Sequence, residues 1–343
     1  MRVLVSRTDR IGDLVLSTPV FEAIKRSLPG TYILVMARKG TIDVISDNPS
    51  VDEYIAFDPD GEHRGMAGAL KLARVLQRKR IDVAVELFMS FYPALAVKLA
   101  RIRRTIGPGS RTYSGLLLTD VVRQRRKESR YNEAAYNLML LRPLGIEEMD
   151  IRPRLYLSDN KDSCERLLLN QGIKPFNYFV VHPGMGGSAK NLSAEQYTVL
   201  IRKLSDRYRL PIIITGSYVD NAVTNKIMRE LAGNPDVRDM CCVLSLQQLK
   251  AVLFFSKAVI APSTGPMHVA AAFGRPTVAI FSPIRAQSRT RWAPYLNNNT
   301  VVIEPKMGCK EQYSCNKNCL HYDCMNSIVM DDVLSKLEEV IAV

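Results

Sequence analysis

The chain has 343 residues, above the size at which one hydrophobic core usually suffices, so two domains are expected. Hydrophobic residues make up 47% and charged residues 24%, which is typical of a globular protein. No run approaches about 18 apolar residues, and the apolar N-terminal stretch ends at Arg7, which argues against a transmembrane helix and a signal peptide. We therefore expect a cytoplasmic chain.

The formal net charge of +13 favours an anionic partner, such as nucleic acid, a membrane surface or a phosphorylated substrate. More than half of this charge lies in residues 101–130, which we term the basic segment. It contains Arg101, Arg103, Arg104, Arg111, Arg123, Arg125, Arg126, Lys127 and Arg130, against Asp120 and Glu128. A solvated surface and an anion-binding site are about equally good explanations of this cluster.

Apolar periodicity predicts alternating strands and helices from the N-terminus. Thr18 is the expected N-cap of the first helix, and Pro19 suits its first turn. In this half we predict strands at 2–6, 32–37, 81–87 and 103–106, and helices at 19–28, 66–79, 91–100 and 131–142. An irregular stretch rich in proline, residues 143–177, separates this series from a second one.

The second series predicts another sheet of the same kind. It comprises strands at 178–181, 210–215, 258–261 and 276–281, and helices at 193–207, 218–231, 246–256 with Ser245 as its cap, 265–273 and 331–341. A further helix, at 161–171, is predicted within the irregular stretch before it. Two successive series of this kind predict two parallel sheets in an α/β protein. Because ligands bind at the carboxyl ends of such strands, the loops that follow strands should carry function.

The first such loop is "VSRTDRIGDLVLSTP", residues 5–19. Gly12 permits a tight turn, and Asp13 falls between the strand and the next helix. Asp13 is either a cap or turn carboxylate, or a general base, because a free aspartate has a pKa of about 3.9 and is ionised at neutral pH.

The second loop, "VVHPGMGGSAKNLSAEQY", spans residues 180–197. Small residues at Gly186, Gly187 and Ser188 allow backbone N–H groups to approach an anion, and Lys190 adds a positive charge. The spacing is not that of a Walker A motif, and glycine-rich turns also occur without a ligand.

The third loop opens a helix with Ser263, Thr264, Gly265 and Pro266, and either hydroxyl residue could cap it. The free N–H groups at a helix N-terminus favour an anion. His268 lies one turn in, and it is either a core histidine or a ligand contact.

A cysteine-rich tail contains Cys309, Cys315, Cys319 and Cys324. Disulfides are rare in the cytoplasm, and the spacing fits no standard zinc pattern. A structural zinc site, free thiols and disulfides therefore stay open.

The three loops, in order and spacing, resemble glycosyltransferase family 9, which includes the ADP-heptose:lipopolysaccharide heptosyltransferases. "RTDRIGDLVLSTP", "HPGMGGSAKNLSAEQY" and "PSTGPMHVAAAFGRPTVAIF" are similar to its motifs and span nearly the whole chain. The resemblance implies a GT-B fold: two Rossmann-like domains with a cleft between them. It implies an acceptor domain at 1–155, a nucleotide-sugar domain at 156–330, and a C-terminal helix at 331–343 that could pack back on the N-terminal domain.

The resemblance also implies an inverting transfer of heptose from ADP-heptose to a lipopolysaccharide core acceptor, without a required cofactor. Asp13 would be the general base, with Arg7, Arg10 and Gly12 at the acceptor. The donor nucleotide and diphosphate would contact Gly186, Gly187, Ser188, Lys190, Asp220, Ser263, Thr264, Gly265 and His268. The partners are then the nucleotide sugar, an anionic lipid-linked saccharide and the inner membrane surface, with no nucleic acid.

Two departures from the family pattern bear on the donor. Ser263 stands where an aspartate is common, and Asp220 where a glutamate is common. A different nucleotide-sugar donor or glycan acceptor on the same fold is therefore an alternative. A non-enzymatic nucleic-acid-binding protein is a more distant one, because the chain is basic but carries no nucleic-acid motif.

Overall fold

The computed structural model describes residues 1–157, 161–186, 190–306, 319 and 323–342. The chain divides into two compact units, Met1–Tyr156 and Leu157–Val343, and each contains one parallel sheet. Within the described residues, no helix combines the length and apolar character needed to cross a bilayer.

The first unit contains a six-stranded sheet. Its strands are β1 (Arg2–Arg7), β2 (Tyr32–Arg38), β3 (Glu53–Phe57), β4 (Val83–Glu86), β5 (Arg104–Pro108) and β6 (Asp120–Val122). Its helices are α1 (Ile11–Val15), α2 (Thr18–Ser27), α3 (Gly65–Arg78), α4 (Phe91–Leu99), α5 (Ser114–Leu117) and α6 (Glu133–Met139). The strand order is β3-β2-β1-β4-β5-β6, the doubly wound order of a Rossmann-like domain.

The central strands of this sheet are apolar on both faces. Leu4 and Leu34 pack with Leu72 of α3 and Val97 of α4, while Val3 and the other alternate residues are equally buried. Burial on both faces is what a parallel sheet requires, since helices cover both. The predicted α/β fold is confirmed for this unit.

The second unit repeats the architecture. Its strands are β7 (Phe179–Val181), β8 (Ile212–Ile214), β9 (Val237–Asp239), β10 (Ala258–Pro262), β11 (Thr277–Ile280) and β12 (Thr300–Ile303). Its helices are α7 (Lys161–Leu169), α8 (Ala194–Tyr208), α9 (Asn221–Glu230), α10 (Leu246–Phe254), α11 (Gly265–Ala272), α12 (Arg289–Trp292) and α13 (Met330–Ile341). The order β12-β11-β10-β7-β8-β9 is the same doubly wound order, read from the other edge.

The last helix belongs to the second unit. Val333 and Leu337 of α13 are fully buried in the same core as Leu200 of α8 and Val278 of β11. The apolar face of α13 is therefore buried within its own unit. The expectation that the C-terminal helix packs back on the N-terminal domain stays a prediction.

Local structure differs from the sequence prediction at several places. The tight turn expected at Gly12 is wrong, because Gly12 and Asp13 lie inside α1. Thr18 does not cap α2: Ser17 precedes the helix, and the Thr18 hydroxyl donates to the Val15 carbonyl. Ser245 does cap α10, as predicted, by accepting from the Gln248 N–H at 3.2 Å.

Candidate active site

Each sheet has one point where the strand order reverses. It lies between β1 and β4 in the first unit and between β7 and β10 in the second. In doubly wound folds, ligands bind at such a point, beyond the carboxyl ends of the strands. The three loops singled out in the sequence follow β1, β7 and β10, so all three lie at the reversal points.

Arg7 ends β1, and its side chain is only 2% exposed. Its guanidinium donates to Asp9 at 2.7 Å, Asp13 at 2.5 Å, Glu133 at 3.0 Å and Asn137 at 3.1 Å. All three nitrogens are therefore engaged within the first unit. These bonds hold Asp13 in position. The acceptor-binding role expected for Arg7 stays a prediction.

Asp13 is 14% exposed at the side chain and lies in the first turn of α1. Burial raises the pKa of Asp13 to about 6, because the charged form loses water; Arg7 opposes this rise, while Asp9 and Glu133 add to it. A carboxylate with a pKa near neutrality can both accept and release a proton at physiological pH. This is the electrostatic setting of a general base.

Burial also lowers the pKa of Arg7, but the three carboxylates outweigh it and the net shift is upward. The guanidinium therefore stays charged at any pH the protein meets. Its charge is paired on every side, which is the condition under which a buried arginine is tolerated.

Arg126, Glu133 and Asn137 complete this cluster. Sequence reasoning missed Glu133 and Asn137, and it placed Arg126 only in the basic segment. Arg126 of the basic segment donates to Glu133 at 2.5 Å and to Asn137 at 3.4 Å. These are the same Oε1 and Oδ1 atoms that Arg7 contacts. The available signal was Glu133 and Asn137 at an i, i+4 spacing on a helix that is otherwise apolar, which places two polar groups on one buried face.

Glu86 lies at the carboxyl end of β4, opposite Ser6 in the register with β1. It is fully buried, and neither carboxylate oxygen has a hydrogen-bond partner among the described residues. Burial raises the pKa of Glu86 to about 7. The first unit thus holds a second carboxyl group of raised pKa at the reversal point that also carries Asp13.

Arg10 is exposed and precedes α1, so its predicted acceptor contact stays a prediction. Some arginines of the basic segment form ion pairs and others do not have one described. Arg104 pairs with Asp120 and Arg126 with Glu133, whereas Arg111 and Arg123 are exposed. Arg125 and Arg130 are also exposed but pair with Glu128, so Arg111 and Arg123 are the members we single out as accessible to an anion.

In the second unit, Asp220 anchors the glycine loop that follows β7. One of its oxygens accepts from the N–H groups of Met185 at 2.9 Å and Gly186 at 3.0 Å. The other accepts from the N–H of Ser217 at 3.1 Å and from its hydroxyl at 2.6 Å. Burial raises the pKa of this carboxyl, but these hydrogen bonds dominate and lower it overall.

Asp220 thus has four donors from the protein itself, and its side chain is occupied in shaping the loop. The donor-nucleotide contact expected for this residue stays a prediction. Gly184 is part of the same arrangement, since a Cβ at that position would lie 2.4 Å from the Asp220 Cγ. Gly186, with φ of +54°, occupies the left-handed region that favours glycine.

The third loop leads into α11, whose N-cap is Thr264 with an extended backbone. The Thr264 hydroxyl donates to the Pro262 carbonyl at 3.1 Å and does not cap the helix. Neither Ser263 nor Thr264 therefore satisfies the first N–H groups of α11 through a side-chain cap. The positive end of the helix dipole lies at this loop, which suits an anion, although Pro266 contributes no N–H.

His268, one turn into α11, is 5% exposed, and its Nδ1 has no hydrogen-bond partner among the described residues. Burial lowers the pKa of His268 to about 4, so the ring is neutral at pH 7. A buried ring nitrogen without a partner is unusual in a folded protein, and a bound water or a ligand would satisfy it.

The remaining predicted residues are partly described. Lys190 is half-buried, while Gly187 and Ser188 lie outside the described residues. Of the four tail cysteines, Cys309 and Cys315 also lie outside them; Cys319 is half-buried, and Cys324 is buried in the core of the second unit. Across the described ranges there is no group of three His, Cys, Asp or Glu side chains that could hold a metal. The structural zinc site stays a prediction.

Comparison with known proteins places this geometry in a family. The family model of Glycosyltransferase family 9 (heptosyltransferase) matches residues 69–322. Lipopolysaccharide heptosyltransferase 2 of Escherichia coli K12 is 29% identical over 316 residues, which are 88% of this chain and 88% of that protein.

Two solved structures have the same fold along the whole chain. The E. coli ADP-heptose lps heptosyltransferase II has a TM-score of 0.78 at 26% identity, covering 100% of this chain and 99% of its own. A glycosyl transferase family 9 protein from Veillonella parvula has a TM-score of 0.85 at 19% identity, covering 99% and 97%. The predicted GT-B fold class is confirmed by these neighbours and by the two doubly wound sheets. The chain therefore belongs to glycosyltransferase family 9, the heptosyltransferase family, and is a glycosyltransferase.

Proposed function

We propose that this glycosyltransferase moves a heptose from ADP-heptose to a lipopolysaccharide core acceptor, with inversion at the anomeric carbon and Asp13 as the base. The observation that carries the proposal is the buried Asp13 carboxylate held by Arg7, with its pKa raised to about 6. The names of the heptosyltransferase relatives support the choice of donor and acceptor.

The first unit would supply the base chemistry. At pH 7.5 a carboxyl group with a pKa of about 6 is mostly ionised, yet it is more basic than an exposed aspartate. Asp13 takes the proton from the acceptor hydroxyl as that oxygen attacks the anomeric carbon, and the bond from this carbon to the diphosphate breaks. Arg7 keeps the carboxylate oriented without itself touching the sugar.

The second unit would stabilise the leaving diphosphate. The free N–H groups at the start of α11 and the charge of Lys190 face developing negative charge with fixed dipoles, so little reorganisation is needed. The neutral His268 can donate or accept through its unpartnered Nδ1. With these groups as the source of stabilisation, we propose that transfer needs no metal ion.

On the acceptor side, Arg10 and the exposed arginines of the basic segment would bind phosphates of a lipid-linked saccharide, since the guanidinium group suits bidentate phosphate contacts. We infer that the reaction takes place at the cytoplasmic face of the inner membrane, where a lipid-linked acceptor would lie. Nucleic acid is not part of the proposal.

The decisive experiment is a thermal-shift comparison of ADP, UDP and GDP, followed by turnover with ADP-heptose in the presence and absence of EDTA. We expect stabilisation by ADP, transfer that is insensitive to EDTA, and a loss of at least a hundredfold in kcat for Asp13→Asn. Asn is nearly isosteric and keeps a hydrogen-bonding group beside Arg7. Near-normal turnover of that variant would refute the assignment of the base.

A second candidate keeps the fold and changes the donor. Ser263, which is half-buried directly before Thr264, is the observation that favours it, since it stands where the family often has a charged residue. Stabilisation by UDP or GDP but not by ADP would select this candidate over the heptose donor.

A further inference from the structure

A patch of exposed apolar side chains follows the carboxyl ends of β4 and β5 in the first unit. Phe91 and Tyr92 begin α4 and are 42% and 40% exposed, and Leu116 in α5 is 76% exposed. We term these three residues the apolar tip. Single exposed apolar residues are ordinary, but a group of them on adjoining helices marks an interaction surface.

The apolar tip is supported from beneath by a small core of its own. Met89, Ala94, Leu117 and Leu118 are buried together below it. The Phe91 ring packs edge-on against Tyr113 at 5.4 Å between centroids, which connects α4 to the turn before α5. Because Leu117 and Leu118 point into this core, the helix projects Leu116 outward on a fixed support.

Exposed arginines follow the neighbouring strands of the same sheet. Arg10 follows β1, Arg111 follows β5, and Arg123 follows β6, and all three are exposed. The nearby carboxylates of Asp9 and Asp13 are already bound to Arg7. The carboxyl edge of the first sheet therefore combines excess positive charge with apolar side chains.

We propose that the apolar tip inserts into the interfacial region of a bilayer of anionic lipids while the arginines of the same edge bind its headgroups. The combination is what peripheral membrane surfaces require: aromatic and aliphatic side chains for the interface, and cations for the anionic leaflet. The choice of a bilayer rests on the proposed function, whose acceptor is lipid-linked, and it positions Asp13 on the edge that faces the membrane.

The test is flotation of the full chain with vesicles of phosphatidylcholine alone and with 30% phosphatidylglycerol, at low and high salt, about 50 and 500 mM. We expect binding to the anionic vesicles only, weakened by salt. Leu116→Ser should lower the partition coefficient about tenfold, because a leucine side chain would no longer be buried in the interface. Arg111→Ala or Arg123→Ala should lower it about fivefold each.

Leu116→Trp provides a gain-of-binding variant, since tryptophan favours the membrane interface, and it should bind at least as tightly as the native chain. Val199→Ser and Arg229→Ala, at exposed positions on α8 and α9, serve as matched controls and should leave partition unchanged. Equal binding to both kinds of vesicle, or equal effects of Val199→Ser and Leu116→Ser, would overturn the proposal.

The result is independent of the reaction itself. With a short, water-soluble acceptor, Leu116→Ser should retain the native rate, because Leu116 takes no part in the chemistry. Vesicle binding without heptosyl transfer would leave the membrane surface standing and refute the proposed function. Transfer without vesicle binding would refute the membrane surface alone.

Discussion

A single guanidinium, that of Arg7, organises the acidic residues around the proposed base. Sequence reasoning placed Asp13 at the correct edge of the correct sheet, because loops after strands are identifiable from periodicity. It could not assign Arg7, since whether an arginine faces solvent or is enclosed by Glu133 and Asn137 depends on a helix 126 residues further along the chain. Contacts of that range leave no local signal.

Replacement of Arg7 by Met should alter the pH dependence of the rate. Without the guanidinium, Asp13 loses the charge that opposes the rise of its pKa, so the pKa moves above 6. The acidic limb of the pH–kcat profile should therefore shift to higher pH, and kcat at pH 7 should fall about tenfold or more. Stability should also fall, by about 3 kcal/mol, because carboxylates are left unpaired.

Arg10→Met is the matched control for this profile. Arg10 is exposed, so its loss should raise the acceptor KM and leave the acidic limb in place. Arg7→Lys keeps the positive charge but not the fork of donors. Its acidic limb should therefore lie at a pH between those of Arg7→Met and the native chain. An acidic limb that is unmoved in Arg7→Met would contradict the role given to Arg7.

Glu86 should make the protein less stable as pH rises. The pKa of its carboxyl is raised by burial from 4.5 to about 7, so the folded state binds the proton more tightly than the unfolded state does. The contribution of this carboxyl group to the unfolding free energy is fully present below about pH 4.5 and is lost as pH rises through about 7. Relative to the native chain, the Glu86→Gln variant should gain about 2–3 kcal/mol of unfolding free energy as the pH is raised from 5 to 8.

Urea unfolding at pH 5 and pH 8 measures the difference in unfolding free energy between the variant and the native chain. Any cost of burying the amide is the same at both pH values, so it does not affect the change in this difference with pH. Glu147→Gln, at an exposed position, is the control and should show no such gain. A constant difference between Glu86→Gln and the native chain at both pH values would show that the buried carboxyl does not titrate in this range.

Among the elements, the long central strands and amphipathic helices were predictable within a few residues, whereas β3, β6, β9 and β12 were not among the predicted strands. These four are the edge strands of the two sheets, each with a neighbouring strand on one side only. Edge strands can be short and mixed in polarity, as is the three-residue strand β6 with the sequence DVV, so hydrophobic periodicity identifies them only weakly. Gly12 misled for a related reason: a glycine that a turn would need is also tolerated in the first turn of a short helix.

The start of α8 should contribute measurably to stability. Ser193 accepts from the Gln196 N–H at 3.2 Å, while the Gln196 side chain accepts from the Ser193 N–H at 3.0 Å. The same Gln196 side chain donates to the carbonyls of Met325 and Ile328, which joins α8 to the turn before α13. Ser193→Ala should cost about 1 kcal/mol of unfolding free energy, and more if the Gln196 contacts are also lost.

Ser90→Ala is the comparison, because Ser90 precedes α4 without a side-chain cap bond. Thermal unfolding of the two variants side by side should show a lower Tm for Ser193→Ala only. Equal shifts would mean that the capping box at α8 carries no stability of its own.

At the scale of the whole molecule, two units of the same strand order divide the proposed tasks. Each has its own buried core and its own reversal point with functional loops. The division into two α/β units was the most predictable feature, because hydrophobic periodicity indicates the number and order of the strand–helix repeats. The positions of the loops at the carboxyl ends of β1, β7 and β10 were predictable, and the internal bonding of Arg7 and Asp220 was not.

The division predicts that nucleotide binding belongs to one unit. Residues 157–343 expressed alone should fold, and ADP at about a hundred times its Kd should stabilise them by about 2.7 kcal/mol. Residues 1–156 should melt at the same temperature with and without ADP. Stabilisation of the first fragment by ADP would contradict the assignment of α11 and the glycine loop to the donor.

Gly184 and Asp220, described above as a close pair in the second unit, have a consequence for how the protein can vary. Any side chain at 184 would enter the space of the Asp220 carboxyl, 2.4 Å away, so the two positions are epistatic. A deep mutational scan should find Gly184 intolerant in the native background and partly permissive once residue 220 is shortened, with Ser217 changing alongside. The sequence of the glycine loop after β7 is thus constrained by a residue on a different strand–helix connection.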